Sequence, residues 1–241
     1  MRISVIIPAL NEAQRLPGLI TALKAEAGLH EIIVVDGASG DGSAQVARQA
    51  GATVLDSRPG RGHQVALGAA QATGDVMLFL HADSCFPTGG LAAIDAALSA
   101  APESPGGNFR LLFDGEDDFS RWLDDFYDRI RRRGIYYGDS GIFVRREVYE
   151  RLGGVRPIEL MEDYDFVRRL ERAGPTRCID TPALVTSSRR FRGRGKWSII
   201  RGWLWIHLLY YLGISPKMMA WFYDSSRRHQ RPAVTTAAEP R

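Results

Sequence analysis

Residues 76–80 read Val-Met-Leu-Phe-Leu, five apolar side chains without a break. The run is short for a helix and has the length of a strand buried on both faces, as strands of a parallel sheet are. His81, Ala82 and Asp83 follow at once. That is where ligands bind in open α/β sheets, just beyond the carboxyl ends of the strands. On an extended backbone His81 and Asp83 point the same way, and an imidazole beside a carboxylate suits a divalent cation such as Mn²⁺ or Mg²⁺. The same residues equally suit a strand-end turn whose Asp caps the next helix, so this stretch alone leaves both readings open.

The chain before it alternates strand and helix. Residues 3–7 form an apolar, β-branched strand closed by Pro8, with Asn11 and Glu12 just beyond. Leu16, Leu19, Ile20 and Leu23 then recur at helical spacing up to Gly28. A second strand, 31–35, ends in Asp36, a short helix covers 44–50 and a brief strand 53–55. Tight β-α-β-α-β connections imply parallel strands and right-handed crossovers. The glycines after Asp36 are spaced G-x-x-G-x-G, which is not the dinucleotide fingerprint. A strand-end carboxylate there can accept from a ribose hydroxyl or a base N–H, or it can close an Asx-turn on its own backbone. Residues 58–64, Arg-Pro-Gly-Arg-Gly-His-Gln, make a basic loop before a helix over 64–72. Such a loop suits an anion, and it equally suits plain solvation.

After the central strand the pattern predicts a helix at 91–98, a strand at 108–113, a helix at 117–133 and a strand at 142–144. Asp and Arg interleave along 117–133, which reads as a salt-bridged outer face and excludes a nucleic-acid patch. A helix follows at 146–152, and Glu162, Asp163 and Asp165 open another that runs to 173. The helix dipole alone favours carboxylates there. Two short strand-like pieces, 178–180 and 183–186, precede a cation-rich stretch with Arg189 and Arg190, and two apolar, aromatic helical segments occupy 199–214 and 218–223. Residues 231–241 read as a disordered tail.

With 45% hydrophobic and 24% charged residues the chain has the composition of a globular α/β domain. Cys85 and Cys178 have neither metal-ligand nor redox spacing, so free thiols in a reducing compartment are expected. No stretch reads as a signal peptide or a confident transmembrane helix, which points to the cytoplasm.

The order of motifs resembles family 2 glycosyltransferases of the GT-A fold. The matching pieces are Val5-Ile6-Ile7-Pro8-Ala9-Leu10-Asn11-Glu12, Ile33-Val34-Val35-Asp36 with its glycine-serine turn, Gly74-Asp75 through Asp83, Gly138-Asp139-Ser140-Gly141 with Phe143, and Glu162-Asp163. The form Leu80-His81-Ala82-Asp83, with 186–190 upstream of a Trp, is similar to a bacterial subgroup associated with radical-SAM/selenodomain proteins. Carotenoid-type glycosyltransferases share similar motifs. The resemblance implies a Rossmann-like, mostly parallel sheet flanked by helices over residues 1–197. A C-terminal helical extension, 198–230, would pack on it or on a membrane surface.

It also implies roles. Asp36 would contact the nucleoside, Asp83 would be the metal-binding Asp of the family's D-x-D motif, and Asp163, with Glu162, would supply the catalytic base. Pro8, Asn11, Glu12, Arg61, Asp75, His81, Ala82, Arg189 and Arg190 complete the expected donor-binding set. One departure is that His81 stands where D-x-D has its first Asp, which makes His81 a candidate second ligand for Mn²⁺ or Mg²⁺. The expected reaction moves one sugar from a nucleotide-diphosphate sugar, a UDP-sugar first, to a hydroxyl acceptor such as a lipid or carotenoid, with inversion. The alternatives are a catalytically silent nucleotide-sugar binder and a nucleotidyltransferase. The latter lacks its glycine-rich loop with activating Arg and Lys near residues 8–12. Trp203, Trp205, Tyr210 and Tyr211, with flanking cations, fit a helix lying on the cytoplasmic face of the inner membrane, and Arg201 argues against spanning.

Overall fold

The computed structural model describes residues 1–191, 193 and 195–220, the side chain of Arg190 excepted. The expected tail at 231–241 and the end of the second helical segment lie outside the described residues. In chain order the elements are β1 (Ile3–Ala9), α1 (Leu16–Lys24), β2 (Leu29–Asp36), α2 (Ser43–Gln49), β3 (Thr53–Asp56), α3 (Arg61–Gln71), β4 (Val76–Phe79) and β5 (Ser84–Cys85). They continue with α4 (Gly90–Ser99), β6 (Gly106–Phe113), α5 (Asp118–Arg131), β7 (Ile142–Arg145), α6 (Arg146–Arg151), α7 (Glu162–Ala173), β8 (Arg177–Thr186) and α8 (Lys196–Tyr211).

Eight strands form one sheet in the order β3-β2-β1-β4-β7-β6-β8-β5. β3, β2, β1 and β4 run parallel, as the short β-α-β connections require, with Ala9 opposite Asp36 and Ile6 opposite Phe79. β7 pairs antiparallel with β4 and β6, while β6 and β8 are parallel. The strand period of two sends alternate residues to opposite faces. Ile3, Val5, Ile7, Val34 and Leu78 pack under α1, α4 and α5, and Ile6, Ile33, Val35, Met77 and Phe79 pack under α3, α6 and α7. Each such side chain contributes about 1.5–3 kcal/mol on full burial, so the central strand is fixed from both sides.

Three of the differences from the sequence reading are these. The two pieces at 178–180 and 183–186 are one strand, β8, whose pairing with β6 slips where Pro182 removes a ladder donor. β5, two residues long, was too short to carry a pattern. α3 starts at Arg61 rather than 64, which moves Arg61 from a loop to the first turn of a helix.

α8 lies across the carboxyl side of the fold. Ile199 enters the larger core, and Leu209 packs with Met161, Tyr164 and Met219. No helix of the described residues is long and apolar enough to cross a membrane.

Candidate active site

The carboxyl ends of β1, β2 and β4 lie side by side, and the loops leaving them hold most of the expected site residues. Backbone strain concentrates around this edge. Among the described residues the non-glycine positions with positive φ are Asn11 (57°), Ala38 (64°) and Met161 (65°), following β1, following β2 and preceding Glu162. Such conformations cost about 1–3 kcal/mol each and gather at functional sites.

Asp36 is 5% exposed at the end of β2. Its Oδ2 accepts the N–H of Ser39, three residues on, at 2.9 Å, so the side chain closes the loop on its own backbone one residue further on than an Asx-turn does. Its Oδ1 is buried with no hydrogen-bond partner among the described residues. The turn and an open acceptor therefore coexist on one carboxylate. A buried acceptor left open costs about 1–3 kcal/mol, which a ligand donor would recover. Gln64 holds this edge together by donating to the carbonyls of Ala9 and Val35, both at 2.8 Å, and nothing in the sequence pattern singled it out. Its amide lies 2.9 Å from where a Cβ on Gly37 would stand, so a side chain there would push the amide off these carbonyls.

Beyond β4 the chain turns at Ala82-Asp83, with the Ser84 N–H reaching the His81 carbonyl at 3.2 Å. The expected alignment of His81 with Asp83 assumed an extended backbone, and the turn separates their partners. His81 Nε2 meets Arg61 Nη1 at 3.1 Å. A guanidinium only donates, so Nε2 is the acceptor in this contact. Asp83 instead faces Arg189, with Oδ2 3.3 Å from Nη2, and the same Nη2 reaches Glu12 Oε1 at 2.5 Å. Two carboxylates from two strand ends thus converge on one cationic group. Asp83 does not cap the next helix, since α4 is preceded by Gly89.

Arg61 is the hub of the opposite wall. It pairs with Glu162, donates from Nη2 to Asp163 Oδ2 at 2.6 Å, and bonds His81. Gly62 permits this, because a Cβ there would stand 2.7 Å from the Ile158 carbonyl oxygen. Asp163 Oδ2 also accepts the Gly138 N–H at 2.9 Å, and Oδ1 accepts the Tyr164 N–H at 2.8 Å. Burial pushes the Asp163 carboxyl up, but the Arg61 charge and the two backbone N–H groups outweigh it and hold it below its ordinary value. Burial wins at Glu162, whose pKa is raised despite Arg61.

The structure does not bring every expected residue to this edge. Asp75 precedes β4, at the strand's amino end, and binds Arg2 through its backbone N–H and guanidinium, each at 2.9 Å. It supports the far side of the sheet, so the expected donor contact is corrected. Pro8 and Ala82 line the edge through their backbone positions, and Asn11 Oδ1 accepts the Gly40 N–H at 2.9 Å. Arg190 shares a 3-10 turn with Arg189, but its side chain lies outside the described residues. Among the described residues no three His, Cys, Asp or Glu side chains form a metal cage. Mg²⁺-type ions do not need one, since one or two carboxylates plus substrate phosphates suffice.

Residues 4–152 match the family Glycosyl transferase family 2. The chain belongs to this family. Over 89 residues it is 38% identical to 4,4'-diaponeurosporenoate glycosyltransferase of Staphylococcus haemolyticus, a match covering 34% of this chain and 24% of that protein. Among solved structures it is similar to the mannosyltransferase PcManGT of Pyrobaculum calidifontis in complex with GDP-Man and Mn²⁺, with TM-score 0.62 and 21% identity over 99% of this chain and 76% of that one. It is also similar to glucosyl-3-phosphoglycerate synthase of Mycobacterium tuberculosis with Mn²⁺, UDP and glucosyl-3-phosphoglycerate, with TM-score 0.61 and 20% identity over 88% and 80%. At these identities the structures establish the shared GT-A fold. The family match ends before Glu162, so the arrangement around Asp163 stands on its own geometry.

Proposed function

We propose that this glycosyltransferase moves a single sugar from a nucleotide-diphosphate sugar to a hydroxyl acceptor, with inversion. One observation carries the reading: Asp163, a buried carboxylate with a depressed pKa, is gathered with Arg61 and His81 at the carboxyl end of the strand that also delivers Asp83. The open Oδ1 of Asp36 takes a donor from the nucleoside, a ribose hydroxyl or a base N–H. Asp83, with Glu12 beside it, is an oxygen set that fits Mn²⁺ or Mg²⁺ completed by the donor's diphosphate. Such an ion would offset the negative charge that grows on the departing diphosphate. His81 faces Arg61 and is left out of this set.

In the transfer the acceptor oxygen forms a bond to the anomeric carbon as the bond from that carbon to the diphosphate oxygen breaks. The acceptor proton passes to Asp163 and the bond electrons leave with the nucleoside diphosphate. One displacement inverts the centre. Asp163 is ionised and ready, but its Oδ2 is held by two donors. Oδ1, which among the described residues accepts only the Tyr164 N–H, keeps room for the acceptor proton, and an incoming diphosphate would compete for the charge of Arg61. UDP-sugars are the first donors to try, since UDP is bound in the Mycobacterium structure. A lipid or carotenoid hydroxyl is the acceptor class suggested by the Staphylococcus relative's name. The exposed side of α8, with Trp197, Leu204, Trp205 and Leu208 and the cations Lys196 and Arg201, would then rest on an anionic bilayer. The Leu80-His81-Ala82-Asp83 form keeps the radical-SAM/selenodomain-associated subgroup as our proposed placement.

A panel of labelled nucleotide sugars with Mn²⁺ tests the reading. Release of nucleoside diphosphate with label on an acceptor supports it. Donor binding without turnover would mean a silent binder, and pyrophosphate release from a nucleoside triphosphate would mean a nucleotidyltransferase.

A further inference from the structure

We infer that the aromatic pocket under α8 is the acceptor seat and that the acceptor is an alcohol carried on an apolar body, a ring or branched hydrocarbon end. The inference rests on the glycosyl-transfer reading above. A cavity of about 180 Å³ opens beside Asp163. Its polar side chains Arg61, Asp139 and Asp163 lie toward the reaction centre, and the rest of its described lining is Phe, Tyr, Leu, Met, Ile, Trp and Gly. α5 contributes Phe126 and Tyr127, the residue before α7 contributes Met161, and α8 contributes Ile199, Gly202 and Trp203.

Of the two tyrosines that line the pocket, Tyr137 has its oxygen already engaged. His207 Nδ1 lies 2.7 Å from the Trp203 carbonyl and must donate to it, so Nε2 accepts from the Tyr137 hydroxyl at 2.9 Å. The Trp203 indole N–H donates to the same Tyr137 oxygen. This network fixes the roof of the pocket. At the end away from Arg61, Asp139 and Asp163, the hydroxyls of a sugar would lie against Phe, Met, Ile and Trp side chains, at about 1–3 kcal/mol for each left unpaired. An apolar group meets no such cost. An apolar cavity of about 150 Å³ holds a benzene-sized molecule, so this one takes a ring or a short branched chain. The hydroxyl then sits at the polar end, within reach of Asp163, and the hydrocarbon points under α8.

Gly202 supplies a clean test. It lines the pocket from the middle of α8, and a Cβ there meets nothing within 4 Å. Gly202→Phe thus introduces a ring at a lining position whose Cβ has room, and it improves helix propensity. Transfer from a labelled nucleotide sugar would be measured to phenethyl and prenyl alcohols in solution, to a long-chain isoprenoid alcohol in anionic vesicles, and to glycerol and glucose. Slow donor hydrolysis is followed in parallel. We expect apolar alcohols to exceed glycerol and glucose by at least tenfold in kcat/KM. Gly202→Phe should raise KM for the soluble apolar alcohols at least tenfold with donor affinity unchanged. Transfer in solution, from vesicles or in both supports the inference and identifies the source. Preference for glycerol or glucose, or an unchanged KM in Gly202→Phe, overturns the acceptor inference and leaves glycosyl transfer standing. Failure to cleave any donor, even by hydrolysis, overturns the underlying reading and this inference with it. Trp203→Ala, which enlarges the cavity, should shift preference toward bulkier alcohols, and a loss of all alcohols alike with hydrolysis intact would count against the inference.

Discussion

Replacing Arg61 by Met removes one cation from between two carboxylates and keeps an apolar stem. Glu162 is 4% and Asp163 11% exposed at the side chain, while Arg61 is 35% exposed. Breaking a fully buried pair costs about 3–5 kcal/mol, and the partial exposure of Arg61 screens the loss to about 2–3 kcal/mol. For a chain of this size that is a fall in Tm of roughly 4–12 °C at pH 7.5. The pH dependence has a definite sign. In the native protein the depressed Asp163 carboxyl contributes stability above its unfolded value of about 3.9, lost as pH falls through the lower folded value. Glu162, already raised, works in the opposite direction. Without Arg61, burial dominates at both, both are raised, and the folded variant binds protons more readily than the unfolded chain. Its deficit should narrow as pH falls from 7.5 toward 5. Calorimetric unfolding of both proteins at four pH values measures this. A deficit absent at pH 7.5, or constant down to pH 5, would show that Arg61 does not hold the two acids together.

Other substitutions separate the roles around the site. Asp83→Asn should abolish the Mn²⁺ dependence of donor binding, whereas Asp36→Ala should weaken binding equally with Mn²⁺ and with chelator; calorimetric titration distinguishes them. Gly138→Ala places a Cβ 3.1 Å from His81 Nε2 and 3.3 Å from Asp163 Oδ2, so it should lower turnover roughly tenfold with donor affinity kept. Donor affinity falling with turnover would place its effect elsewhere. Full-length protein should cosediment with anionic vesicles at low salt and dissociate at high salt, because basic groups at such a surface contribute about 1 kcal/mol each and are screened. Protein left in the supernatant at low salt contradicts the bilayer role of α8.

Much of the fold was legible because its signals are local. Five apolar residues in a row marked β4, and the 3.6-residue recurrence of Leu16, Leu19, Ile20 and Leu23 marked α1. Asp36 stood out as a strand-end carboxylate, whereas the role of Asp163 came only from the family resemblance, since the helix dipole alone accounts for acids at a helix start. What failed depended on backbone direction or distance along the chain. His81 and Asp83 were two apart on an assumed strand, but a turn gives them to different arginines. Asp75 adjoins the right strand at its wrong end. Arg61 lies 101 residues from Glu162, and no pattern in a single sequence links them. The pocket required α8 to fold back over α5, a contact that the helix, apolar on several sides, did not disclose.

The most direct test of the central claim is the fate of the anomeric centre in the native protein and in Asp163→Asn. NMR of the product from an α-linked nucleotide sugar should show a β-linkage. Asp163→Asn should bind the donor with unchanged affinity yet transfer at least ~100-fold more slowly, the scale of a lost general base. A retained α-linkage, or an Asp163→Asn protein that turns over near the native rate, would contradict the account.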